Sequence, residues 1–311
     1  MADEPHPQVQ AVLQMLDSQP VPPTEAVSVA EARRQMEAMA AMRSGPEVGE
    51  VKNFDVAGPD GPLSTRLYLP EGEAPHPGLV FFHGGGFVIG SLDTHDALAR
   101  ALCDAADCAV LSVDYRLAPE HPFPAAFEDA YGAVEWIAEF GPDVDVDPDR
   151  IAVAGDSAGG NLAAAVSLAT HDRDGPELTH QGLIYPVVSS TIHEPLESYH
   201  ENAEGYFLET GTMQWFDEQY VQDEADRRNA YYAPLLARDH SVVPPATIVT
   251  AGFDPLRDEG DVYAERLREA GVEVDYVEYE DMIHGFASML GAVDAAEDAV
   301  ETLGANLRDS F

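Results

Sequence analysis

Residues 155–159 read Gly-Asp-Ser-Ala-Gly, a Gly-x-Ser-x-Gly pattern between the apolar run Ile151-Ala152-Val153-Ala154 and an alanine-rich stretch of helical character. The bare pattern is weak evidence. Between a buried strand and a helix it gains a mechanical meaning: the turn is so sharp that Ser157 is strained with its oxygen exposed, and small neighbours let the chain pass itself. A serine hydroxyl is a poor nucleophile, so it needs a base and an acid that orients the base. On a strand–turn–helix scaffold of this type the chain order is serine, acid, histidine. Asp254 follows the apolar run 246–252, in Phe-Asp-Pro-Leu-Arg-Asp-Glu-Gly, and His284 lies in Asp-Met-Ile-His-Gly-Phe before the last helix. Both are loop positions past a strand's carboxyl end, where they would converge on Ser157. The competing reading of Asp254 is a helix cap, for which Asp258 is the better candidate. For His284 it is a loop histidine satisfied by backbone, against which Gly285 and the chain order speak.

A second stretch, Val80-Phe81-Phe82-His83-Gly84-Gly85-Gly86-Phe87, follows an apolar run with three consecutive glycines, the residues that lose most entropy on ordering. A turn needs one or two. Three suggest backbone N–H groups aimed at a group that approaches closely. Attack on a carbonyl carbon puts negative charge on its oxygen, and donors must already point there. The amides of Gly85, Gly86 and Ala158 are the expected donors, and His83 is expected to hold the loop's shape rather than move a proton.

These residues need elements to position them. Runs at 51–57 and 63–69 flank Gly58-Pro59-Asp60-Gly61 as a β-hairpin would. Continuous apolar runs at 78–82, 109–113, 150–154, 182–185 and 246–250 each precede a helical stretch, and an extended run at 272–279 precedes a helix near 293–308. Unbroken strands alternating with helices indicate an α/β class: a mainly parallel sheet covered on both faces, with an antiparallel edge from the hairpin. Two segments do not fit the alternation. Near the N-terminus, Val9, Val12, Leu13 and Leu16 have helical spacing, Pro20, Pro22 and Pro23 break it, and Ser28 with Glu31 signs the start of a second helix carrying Met36, Met39 and Met42. Residues 189–230, with Tyr206, Phe207, Met213, Trp215 and Phe216 among many acids, form either a lid at the carboxyl edge of the sheet or a surface helix with a small core of its own.

The charge balance is far from ordinary. The 311 residues hold 57 Asp plus Glu against 16 Lys plus Arg, a net −41, and Lys52 is the only lysine. The acids are spread among normal hydrophobic runs, so neither a disordered acidic tail nor one acidic docking patch fits. A chain built for very high salt does fit, because molar salt shortens the screening length to about 3 Å and quenches self-repulsion. Such a fold should loosen when salt is removed. The same charge argues against nucleic acid and anionic membranes as partners. No secretory signal is visible, Arg33-Arg34 lies too deep for a twin-arginine signal, and no apolar run spans a membrane. Cys103 and Cys108 are too few for a disulfide framework or a zinc site. A cytoplasmic protein is expected.

The residues His83-Gly84-Gly85-Gly86-Phe87, the run Asp-Tyr-Arg-Leu-Ala-Pro-Glu-His-Pro-Phe-Pro-Ala-Ala-Phe-Glu-Asp at 114–129, Gly-Asp-Ser-Ala-Gly-Gly at 155–160, Asp-Pro-Leu-Arg-Asp-Glu-Gly at 254–260 and His-Gly-Phe at 284–286 resemble the hormone-sensitive-lipase-like carboxylesterases, bacterial family IV. The likeness runs from about residue 50 to the end. It implies an α/β-hydrolase fold with a catalytic core at 49–188 and 231–311 and a helical cap made from 1–48 and 189–230. It implies Ser157, Asp254 and His284 as a triad, Gly85, Gly86 and Ala158 as an oxyanion hole, and Arg116 with Glu120 as partners fixing a loop beneath the site. Phe87, Phe207, Met213, Phe216 and Phe286 are candidate walls for a substrate, though core packing competes for some of them. The expected reaction is hydrolysis of short- to medium-chain carboxylic esters through an acyl-serine, with no metal or organic cofactor. An amidase or deacetylase with the same triad, and a small-molecule receptor on the same fold, are the alternatives. The acidic field should also move activity to higher pH as salt is lowered. Oligomeric state is not fixed by the sequence.

Overall fold

The computed structural model describes residues 2–19, 21–189 and 196–311. One eight-stranded sheet runs through the molecule in the order β1-β2-β4-β3-β5-β6-β7-β8. β1 (Glu50–Gly58) and β2 (Gly61–Leu69) are the antiparallel hairpin, and β2 runs antiparallel to β4 (Ala109–Val113). From β4 onward every neighbour is parallel, through β3 (His76–Phe82), β5 (Val146–Asp156), β6 (Gln181–Ile184), β7 (Ala246–Phe253) and β8 (Val274–Ile283).

The central runs are apolar throughout because both faces of the sheet are covered. Val80, Phe82, Ile151 and Val153 point into one core with α4 (Ala125–Phe140), α5 (Ala158–Asp172) and α8 (Arg257–Glu269). Leu79, Phe81, Ala152 and Ala154 point into a second core with α3 (Asp96–Ala106) and α9 (Asp294–Ser310). Successive side chains of a strand face opposite ways, so a strand buried twice has no polar positions to spare. This is the α/β-hydrolase arrangement that the sequence implies. β5 is longer than the run 150–154 suggested, because Val146 pairs with His76 across an irregular step in β3.

The two segments outside the alternation meet each other. α1 (Pro7–Asp17) buries Val9 in the second core, and the N–H of His6 donates to Asp281 O at 2.8 Å. α2 (Val29–Ala40) starts where Ser28 Oγ accepts from Glu31 N at 3.3 Å. It ends before Met42, which is 73% exposed rather than part of an apolar stripe. The insertion carries α6 (Ser198–Glu201) and α7 (Thr210–Tyr220), while residues 190–195 at its start lie outside the described residues. Thr212 Oγ1 of α7 donates to Glu25 Oε2 at 2.8 Å, which joins the insertion to the N-terminal segment. No helix among the described residues is long and apolar enough to cross a membrane.

Candidate active site

β5 ends at Asp156 and α5 begins at Ala158, so Ser157 alone makes the turn between them. Its φ of 56° and ψ of −117° lie where non-glycine residues rarely stay, a strain of about 1–3 kcal/mol. Backbone geometry explains the flanking glycines. A Cβ on Gly159 would sit 1.8 Å from Phe82 O, and one on Gly155 would sit 2.3 Å from the Gly159 carbonyl carbon. The bend closes only because neither has a side chain. Ser157 N is satisfied by Ile184 O at 2.8 Å, which ties the elbow to β6.

Ser157 Oγ lies 3.0 Å from His284 Nε2, and His284 Nδ1 lies 2.7 Å from Asp254 Oδ2. The three come from the carboxyl ends of β5, β8 and β7. Asp254 is wholly buried and His284 is 6% exposed, so this line of hydrogen bonds is largely shielded from water. The other Asp254 oxygen, Oδ1, accepts from Leu256 N at 2.9 Å. Asp258 does not cap α8. It lies inside the first turn, where its carboxylate accepts from Ser198 N and pairs with Arg257. Burial of the insertion against this turn redirects it.

The glycine loop is held from below. Gly84 N donates at 2.9 Å to Oδ1 of Asp156, the residue next to Ser157. Gly85 O accepts from Val88 N and Ile89 N, and Gly85 and Gly86 have φ of 122° and 59°. Among the described residues the amides of Gly85, Gly86 and Ala158 donate to no protein acceptor. Nearly all buried amides in proteins are paired. Ala158 also stands at the amino end of the fifteen-residue α5, where the helix dipole favours negative charge.

His83 is buried, with Nδ1 2.8 Å from Gly84 O and its ring stacked on Tyr115. Burial, with His95 beside it, pushes its pKa down to about 3, so it stays neutral at working pH and serves the loop. Burial would raise Asp156, but His95, His83 and the Gly84 amide outweigh it and hold that carboxyl below its ordinary range.

The apolar candidates separate. The ring of Phe216 covers Gly86, since a Cβ there would meet Phe216 Cγ at 2.2 Å. Phe207 is 43% exposed and reaches over Gly285, with its ring 3.1 Å from where a Cβ would stand. Met213 packs with Tyr199, Leu208 and Leu256. Phe87 stacks on Tyr220 at 4.0 Å and is mostly buried. Phe286 is not brought to any opening: it is fully buried among Tyr185 and Tyr279, as core. The Arg116–Glu120 pairing is also corrected. Arg116 binds Asp129 and Asp60, whereas Glu120 binds Arg33 of α2. Arg33 additionally donates to Val88 O and Ala118 O, both at 2.9 Å, and so clasps the turn just after the three glycines.

Tyr185, which sequence reasoning missed, has its ring 4.6 Å from that of His284. Its place at the carboxyl end of β6, between the strands of Ser157 and Asp254, was the available signal. No group of three or more metal-ligating side chains is present among the described residues.

Residues 79–288 match the model of a family described by its alpha/beta hydrolase fold. The chain is 41% identical over 293 residues to the esterase LipI of Mycobacterium tuberculosis, covering 93% of this chain and 90% of that protein. It is 36% identical to an ethyl acetate hydrolase of Pseudomonas putida, covering 95% and 96%. Among solved structures, an ester hydrolase from the Lake Arreo metagenome, complexed with a bipyridine phosphonate derivative, superposes with a TM-score of 0.94 at 40% identity, covering 98% of this chain and 99% of the other.

Proposed function

This chain belongs to the α/β-hydrolase-fold family and is a carboxylic ester hydrolase, and from that premise we propose that it works through an acyl-serine formed on Ser157. The observation that carries the reading is the unbroken line from Ser157 Oγ to His284 to Asp254, at 3.0 and 2.7 Å. His284 takes the hydroxyl proton as Oγ attacks the ester carbonyl carbon. Asp254 fixes the ring and offsets its positive charge. The oxyanion is received by the amides of Gly85, Gly86 and Ala158. His284 then protonates the departing alcohol. Water, activated by the same ring, attacks the acyl-serine, releases the acid and restores the hydroxyl.

In this reading the cover is made from the described parts of the N-terminal segment and of the insertion, which Thr212 and Glu25 join. Phe216 above Gly86 and Phe207 above Gly285 bound the space for acyl and alcohol groups, which supports short- to medium-chain esters. The ethyl acetate hydrolase among the relatives points the same way. Turnover of p-nitrophenyl esters from acetate to palmitate in molar salt tests this, with rates expected to fall beyond about eight carbons; a rate rising up to palmitate would reject it. A panel of matched anilides tests the amidase alternative.

The loop amides give a sharper test. Alanine at Gly85 must adopt a φ of 122°, and its Cβ would sit 2.2 Å from Ile89 O. The turn has to open and carry its donors away. We expect Gly85→Ala to lower kcat by about 10²–10³-fold with little change in KM. Wild-type kcat would rule these amides out.

Salt adaptation belongs to the same proposal. Among the described residues only Asp129, Asp156, Asp254 and Glu259 are buried acids, so the excess charge is at or near the surface. A field of that sign favours a protonated imidazole. The acidic limb of activity is therefore expected to move to higher pH as KCl is lowered, provided the fold is intact. A pH–rate profile that stays fixed across ionic strength would count against it.

A further inference from the structure

Glu259 is a fully buried carboxylate that no step of the proposed reaction uses. It lies in the first turn of α8, shortly after Asp254. Its Oε2 accepts from Val188 N and Ser189 N, both at 2.6 Å, and its Oε1 accepts from the Tyr199 hydroxyl. These donors belong to the exit of β6 and to α6 of the insertion, and none of them is cationic. Burial pushes this carboxyl up to about 7; the Tyr199 hydroxyl and the two amides oppose the rise, and Asp254 adds to it. The titratable groups that act on it are Tyr199 of α6, Tyr232 just past the insertion and Asp254 of its own loop, while Asp258 acts on Tyr199. Arg257 is engaged with Asp258 and Glu201.

The sign of the linkage is informative. A carboxyl raised from its usual 4.5 to about 7 supports the fold fully only below about 4.5, and that support is lost as pH rises through 7. At higher pH the protein bears the cost of a buried charge that a neutral side chain would avoid.

The same corner is stapled elsewhere. Ser198 N donates to Asp258 Oδ2 at 2.9 Å, and Ser198 Oγ donates to Pro255 O at 2.7 Å. Asn202 Nδ2 donates to Gly252 O and Asp254 O, both at 3.1 Å, and Arg257 Nη2 pairs with Glu201 at 3.0 Å. The loop that carries Asp254 thus has α6 along one side and the exit of β6 beyond it.

We propose that Glu259, through Tyr199 and α6, is a positioning residue that sets where the Asp254 carboxylate meets His284, so that the insertion holds the triad as well as covering it. This rests on the reading of Asp254 as the acid that orients His284.

Glu259→Gln keeps the shape and removes the charge. Rates are normalised to serine titrated with a phosphonate ester, so misfolded protein does not count. We expect kcat per titrated site to fall about tenfold with KM within about twofold, since small misplacements of catalytic groups cost one to two orders of magnitude. A looser Asp254–His284 contact should move the acidic limb of kcat/KM to lower pH. Tyr199→Phe, on the opposite element, should give the same pattern more weakly and serves if the first variant fails to fold. In an Asp254→Asn background, itself expected about 10⁴-fold down, Glu259→Gln should add less than twofold. Unchanged kcat per site, an unmoved acidic limb, or a full tenfold loss persisting in that background would overturn the proposal alone. Near-wild-type Asp254→Asn would instead remove the reading of Asp254, and this proposal with it.

Discussion

Ser157→Ala is expected to lower kcat for p-nitrophenyl butyrate by on the order of a millionfold while leaving the fold intact. The substitution removes one oxygen, and alanine keeps the same backbone path through the bend at φ 56°. Loss of the nucleophile alone costs about as much as loss of a whole triad, because the three groups act as one unit. The rate that remains comes from the oxyanion donors and from binding. Mass spectrometry of wild-type enzyme quenched during turnover should show the acyl adduct on the peptide containing Ser157, and the variant should show none. Residual activity above about one percent in the purified variant, without a contaminating esterase, would place the nucleophile elsewhere.

The second large effect is of salt on the fold. With a net charge of −41 and few buried acids, the surface is crowded with like charge. Many of the arginines are already engaged: Arg33, Arg66, Arg100, Arg116, Arg150, Arg173, Arg227 and Arg257 each pair with a carboxylate. Internal pairing cannot neutralise the rest, so screening must come from the solvent. Between about 3 M and 0.1 M KCl the screening length grows from under 3 Å to about 10 Å, and repulsion spreads across the surface. We expect the unfolding midpoint to drop by about 10 °C or more, equivalent to several kcal/mol for a chain of this size. Calorimetry over that range decides it: an unmoved Tm would mean the acids are tolerated rather than used.

Much of the frame was legible because the same physics writes both sequence and structure. A strand covered on both faces must be apolar throughout, and the run 109–113 is β4 to the residue. The elbow was legible because Gly155 and Gly159 can be nothing else where a Cβ would overlap backbone. Pairings between distant surface charges were not. Arg116 lies four residues from Glu120, but Asp129 of α4 is brought closer by packing, and Glu120 turns to Arg33. Glu259 was equally opaque. Its neighbour Asp258 has the same chemistry, and only the seating of the insertion decides which carboxylate is sealed from water. Phe286 illustrates the converse. A phenylalanine two residues from His284 reads as a pocket wall until its burial against Tyr185 is known.

The first helix of the chain rests on its last strand and last helix: His6 N reaches Asp281 O, and Gln8 Oε1 accepts from Asp294 N. Gln8 and Asp294 stand 286 positions apart, so during synthesis α1 must wait for that distant segment before finding its seat. A nascent chain therefore carries α1 without this seat until the strand leading to His284 and the helix after it have both been made.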